Sequence, residues 1–104
     1  MAVSQVIRVQ AAPGRFPELL ERSQQLQKIR DRLAPGIKTR RFIPATGTVT
    51  GALIVVLEFP DMTAFGELNE KLQSDPEARA LRQSMLGDKN PAVVSQSIEL
   101  VREL

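Results

Sequence analysis

Val3, Ile7, Val9 and Ala11 alternate with Ser4, Arg8 and Gln10, with Val6 the one apolar exception, so a period of two predicts a first strand over residues 3–11. Pro13-Gly14 ends it. The period then changes: Phe16, Leu19, Leu20, Leu26, Ile29 and Leu33 recur at three- and four-residue intervals, the mark of an amphipathic helix from about Pro17 to Leu33. Pro17 suits a first helical turn and Pro35-Gly36 supplies a stop. Glu18, Arg22, Gln25, Lys28 and Arg32 make up its polar face. Residues 37–43 read as a second strand carrying Lys38, Arg40 and Arg41. A loop from Pro44 to Gly51 leads into Ala52–Phe59, where Leu53 to Leu57 are continuously apolar, as in a strand buried on both faces. Pro60 ends that strand, and Asp61 is placed to cap a helix with Met62, Phe65, Leu68 and Leu72 on one side. Asp75-Pro76-Glu77 restarts it as a second piece running to about Leu86, with Ala78, Leu81 and Met85 inward. After a polar turn at Gly87–Pro91, alternation from Val94 to Leu104 predicts a terminal strand.

Strand, helix, strand, repeated, with a loop that suits neighbouring antiparallel strands, predicts an α+β fold of ferredoxin-like βαββαβ order: a four-stranded antiparallel sheet with two helices on one face. Strands one and three are then central, and the basic strand two and the terminal strand are edges. The expectation is a single domain spanning residues 1–104. A domain of this size buries only about 60 to 65% of the surface its unfolded chain exposes, so association would add to a marginal core.

Composition narrows the chemistry. The 104 residues include no His, Cys, Trp or Tyr, so no disulfide, thiolate nucleophile or metal centre built on His or Cys is expected. Residues 1–52 carry nine Lys/Arg against three Asp/Glu and residues 53–104 five against nine, giving halves of +6 and −4 within a net +2. Such asymmetry can mark a nucleic-acid surface, but the basic residues are scattered and no Tyr or Trp accompanies them as a stacking platform, so no nucleic-acid partner is expected. No apolar run approaches the roughly 20 residues of a membrane span and the N-terminus lacks signal-peptide character, so the expectation is a cytoplasmic protein with no membrane partner.

Pro13-Gly14-Arg15 after strand one, Gly47-Thr48 in the loop, Val56 to Met62 reading V-L-E-F-P-D-M, and Asp75-Pro76-Glu77 together resemble the dimeric α+β barrel superfamily, with the nearest look NIPSNAP-like. The resemblance covers nearly the whole chain. It implies a homodimer in which two open sheet faces meet and enclose a space for a small organic molecule. Relatives of this kind include cofactor-free monooxygenases, haem-degrading enzymes and lactone isomerases. Haem- and metal-using relatives rely on His, and several oxygenases on His, Trp or Tyr, so their absence weighs against those activities, and no cofactor is expected. The aromatic residue that often follows Arg in strand one of NIPSNAP-like chains is also missing, since Val9 follows Arg8.

If helices cover one sheet face, parity turns Leu53, Val55, Leu57 and Phe59 towards them and Ala52, Ile54, Val56 and Glu58 away. The matching outward sets are Val6, Arg8 and Gln10 on strand one and Ser97, Glu99 and Val101 on strand four; strand two offers Arg40 or Arg41, which periodicity does not separate. Arg8, Gln10, Arg40 or Arg41, Glu58, Ser97 and Glu99 are therefore the candidate ligand-binding residues, Arg contributing a donor fork suited to a carboxylate or phosphate. Glu58 is the candidate catalytic base. Equally, Arg8 and Glu58 can neutralise each other across strands with nothing bound, and the cations of strand two can serve only to discourage edge-to-edge aggregation. The loop Thr46–Gly51 lacks the Lys-Ser/Thr ending of a phosphate loop and leads into a strand, so a hairpin connection is its better account. The resulting expectation is a homodimer holding a small, anionic organic molecule; the alternative is a cofactor-free monooxygenase or isomerase using Glu58 and Arg8.

Overall fold

The computed structural model describes residues 2–44, 51–86 and 91–102. Most of the loop at Thr46–Gly51, most of the turn at Gly87–Pro91, and Glu103 and Leu104 at the end of the expected terminal strand lie outside the described residues.

The elements follow the order read from the sequence: β1 (Val3–Ala11), α1 (Phe16–Leu33), β2 (Lys38–Phe42), β3 (Ala52–Phe59), α2 (Met62–Ser74), α3 (Pro76–Leu86) and β4 (Val93–Arg102). The sheet runs β2-β3-β1-β4, and every neighbouring pair is antiparallel. β1 and β3 are thus central, and the basic β2 and the terminal β4 are the edges. The second helical region is in two pieces, α2 and α3, divided at Asp75 as Asp75-Pro76-Glu77 predicts.

Local chemistry accounts for the breaks. Gly14 takes φ +75° in the turn that ends β1, a conformation that suits glycine because no Cβ obstructs it. Asp61 caps α2 by accepting a hydrogen bond from the Ala64 N–H at 2.8 Å. Asp75 does the same for α3, its Oδ2 accepting from Ala78 N–H at 3.0 Å while Oδ1 accepts from Arg32 Nη2 at 3.0 Å. The Ala78 N–H and then the Arg32 guanidinium hold the Asp75 carboxyl below its ordinary value. Lys71 Nζ donates to the Leu33 carbonyl, so the C-terminus of α1 is tied to the α2–α3 junction at two points. At the other end, Arg22 donates to Ser84 Oγ and joins α1 to α3.

The core lies between the helices and one face of the sheet. Val3, Ile7 and Val9 of β1 and Leu53, Val55, Leu57 and Phe59 of β3 are buried there against Leu19, Ile29, Leu68, Leu72 and Ala78. In β3 the alternate residues Ala52, Ile54, Val56 and Glu58 are only half-buried, so one chain covers one face of this strand and leaves the other open. β4 departs from its alternating pattern. Ile98 and Leu100 share the helix-side face with Ile7 and Gln5, yet they are 53% and 43% exposed. The helices bury β1 and β3, and beyond them towards β4 the two layers part to leave a cavity.

Candidate functional site

Strand register fixes the open face. Val6 stands opposite Val56 on one side and Glu99 on the other, and Arg8 opposite Ile54 and Ser97. Side chains directly opposite in an antiparallel ladder share a face, so Arg8, Ser97 and Glu99 project together with Val6, Ile54 and Val56. Gln10 joins the same face opposite Ala52 and Ser95. On the edge strand, Arg40 lies opposite Val56 and Arg41 opposite Val55, which settles what the sequence left open: Arg40 is on the open face and Arg41 on the other. Arg41 is thereby separated from the remaining six candidate residues.

Glu58 sits opposite Ser4 and Lys38 at one end of this face, four residues along β3 from the partner of Arg8. At about 3.3 Å per residue that is about 13 Å, too far for Arg8 and Glu58 to pair within one chain. Glu58 instead binds Arg40 on the neighbouring strand, Oε1 to Nη2 at 2.5 Å. Its carboxylate is engaged by a cation, and the expected Arg8–Glu58 pair does not form in the single chain. Arg8 is exposed near the middle of the face and makes no ion pair among the described residues. Glu99 is its diagonal neighbour on β4, and Ser97 its direct one. Gln10 is half-buried, with Nε2 3.4 Å from the Ala11 carbonyl. Around these polar groups the face is apolar: Val6, Ile54 and Val56 are half-buried, and Phe42 and Val101 are 45% and 42% exposed.

A second feature lies on the opposite side of the sheet. A cavity of about 80 Å³ opens between the helices and β1, β3 and β4. Its deep wall includes Phe59 and Phe65, packed edge to face with ring centroids 5.4 Å apart. Arg30 of α1 also lines it and is 7% exposed. No position in this cavity figures among the residues expected from the sequence. A signal was present: Leu19, Ser23, Leu26, Arg30 and Leu33 are spaced four, three, four and three, so Ser23 and Arg30 occupy the inward stripe that a count of apolar residues alone passes over. Among the described residues no group of His, Cys, Asp and Glu is arranged to hold a metal ion. Among the described residues no helix is long and apolar enough to cross a membrane.

No protein-family model matches the sequence, and no significant match was found among curated proteins. Solved structures do match. A NIPSNAP family protein from Agrobacterium tumefaciens superimposes with a TM-score of 0.81 at 12% identity, over 100% of this chain and 94% of that one. An uncharacterised NIPSNAP domain protein from Burkholderia xenovorans gives 0.79 at 15% identity, over 98% and 94%. SnoaB, a cofactor-independent oxygenase from Streptomyces nogalater, gives 0.69 at 16% identity, over 98% and 92%. The likeness is one of fold: the chain has the ferredoxin-like α+β architecture of NIPSNAP-like proteins.

Proposed function

We propose that the protein is a homodimer in which two open sheet faces meet, and that Arg8, with Gln10 and Ser97 beside it, holds a small organic anion in the space between them. The observation that carries this reading is the setting of Arg8. An exposed guanidinium without an ion pair among the described residues stands amid Val6, Ile54 and Val56, on a face that the described elements of its own chain leave open. Covering those apolar residues favours association, and covering Arg8 calls for an anion, because a buried cation without a partner is costly. A guanidinium presents two parallel N–H donors to a carboxylate or phosphate, and Ser97 and Gln10 add neutral polar groups beside it. Arg40 and Glu58 close one end as a neutralised pair.

The test of this arrangement is light scattering on the wild type and on Val56→Arg. The wild type should be a dimer; a cation at Val56, in the centre of the face, should leave monomers or insoluble protein. A variant that remains a soluble dimer removes this face from the interface, and the enclosed site with it.

A second reading, a cofactor-free monooxygenase or isomerase with Glu58 as base and Arg8 as anion holder, draws on the fold likeness to SnoaB. In this chain Arg40 holds Glu58 Oε1, which leaves Oε2 for the role of base. Turnover that survives Glu58→Gln would dismiss that base.

A further inference from the structure

From the cavity behind the sheet we infer a second binding site, one that takes a small organic carboxylate on Arg30. Three observations meet there. The first is burial without partners. Arg30 is 7% exposed, its buried Nε has no hydrogen-bond partner, and its side chain makes no hydrogen bond or salt bridge among the described residues. Buried N–H donors are ordinarily paired, since a charged donor is expensive to leave unmet.

The second is the charge of the wall. Arg82 of α3 lines the same cavity, and its positive charge adds to burial in depressing the Arg30 pKa to about 10. Asp31, exposed on α1, offsets this in part. Among the described residues no acidic residue lines the cavity; the other polar groups there are Gln5, Ser23, Asn69 and Gln96. Two like charges around one space, with neutral amides and a hydroxyl between them, suit an anion that lowers their mutual repulsion.

The third is shape and polarity. The space of about 80 Å³ is walled by Leu57, Phe59, Phe65 and Leu72 as well as by the cations, and Arg82, Gln96 and Ile98 form an exposed rim. An apolar floor with one cation buried deep and a second at the mouth selects a compact molecule with a carboxylate and a short hydrocarbon body. A bare inorganic anion leaves the apolar floor unused. The exposure of Ile98 and Leu100 on the helix side of β4 has the same origin, because the mouth opens beside this strand.

The site is distinct from the open face, and its test separates the two. Propionate and butyrate are titrated into the full chain against propionamide and butyramide, followed by calorimetry and by the Arg Nε–H resonances of ¹⁵N-labelled protein. The acids should bind saturably and shift the Arg30 Nε–H signal, and the amides should bind at least about tenfold more weakly. Arg30→Gln should weaken acid binding by about tenfold to a hundredfold, whereas Arg79→Gln, which removes an exposed cation elsewhere on α3, should not. If Arg30→Gln fails to fold, Arg82→Gln at the exposed rim should still weaken the acids severalfold. Equal binding of acids and amides, unchanged affinity in Arg30→Gln, or no saturation by about 10 mM would overturn the proposal. A titration that moves the Arg8 signal and leaves Arg30 unmoved would also overturn it, and would favour the open face.

Discussion

Replacing Arg30 by methionine should make the ligand-free protein more stable. Methionine keeps an unbranched chain in the cavity that Ile7, Leu26 and Leu57 also line and removes the guanidinium. The depression of the Arg30 pKa from its ordinary value to about 10 corresponds to about 3 kcal/mol spent keeping that group charged inside the protein. Methionine is the shorter side chain, so slightly looser packing takes back part of the gain and the net should be about 1–3 kcal/mol, in line with buried ions replaced by apolar residues elsewhere. The sign with pH follows from the same depression. The folded pKa lies below the unfolded one, so the penalty is fully present below pH 10 and fades as pH rises from about 10 towards the unfolded value. The advantage of the variant should therefore be level between about pH 6 and pH 9 and shrink above pH 10. With no Trp or Tyr, the assay is urea unfolding followed by far-ultraviolet circular dichroism. Both proteins are dialysed free of ligand and held at one concentration, because a dimer's midpoint depends on concentration. A midpoint about 0.5–2 M higher is expected. An equal or lower midpoint would refute the reasoning, since it would mean that Arg30 is engaged in the folded protein and not left unmet.

Other consequences concern the frame of the fold and the open face. Asp75→Ala removes the cap of α3 and the tie to Arg32, and should lower the thermal midpoint by several degrees at neutral pH. Because the folded Asp75 pKa is held below 3.8, that contribution is present above this value and is lost as pH falls through the folded pKa, so the gap between variant and wild type should close in acid melts. Gly51→Ala forces a side chain onto a residue at φ +80° and should cost about 1–2 kcal/mol in urea unfolding; its Cβ would also press on Gln10 Nε2 at 3.3 Å. Glu58→Gln, which breaks a largely exposed ion pair with Arg40, should change stability by less than about 1 kcal/mol in the same assay.

What the sequence made legible was governed by how sharply polarity alternates. β3 declares itself because Leu53 to Leu57 are apolar without interruption, and parity along it, carried through strand register, orders Arg8, Gln10, Ser97 and Glu99 onto one face. β2 has no such contrast: Lys-Thr-Arg-Arg-Phe offers neither face a run of apolar residues, so only pairing with β3 separates Arg40 from Arg41. The Glu58 partner was illegible for a related reason. Periodicity reports the face of a residue but not its distance along the strand, and that distance puts Arg8 out of reach and Arg40 within it. In β4 the alternation of Ile98 and Leu100 predicts a covered face, but coverage depends on where the helices end across the sheet, which is a tertiary matter. Arg30 was hidden because its helical position is inward while its chemistry reads as outward. Such disagreement between position and residue type is itself a signal for a functional group.

Native mass spectrometry of the purified full chain tests most directly whether this is a homodimer that holds a small molecule, because one spectrum gives both subunit count and any retained mass. The account predicts a dimer with a defined added mass of a small organic acid, lost on mild activation. A monomer, which would leave the apolar open face and Arg8 in water, would contradict it.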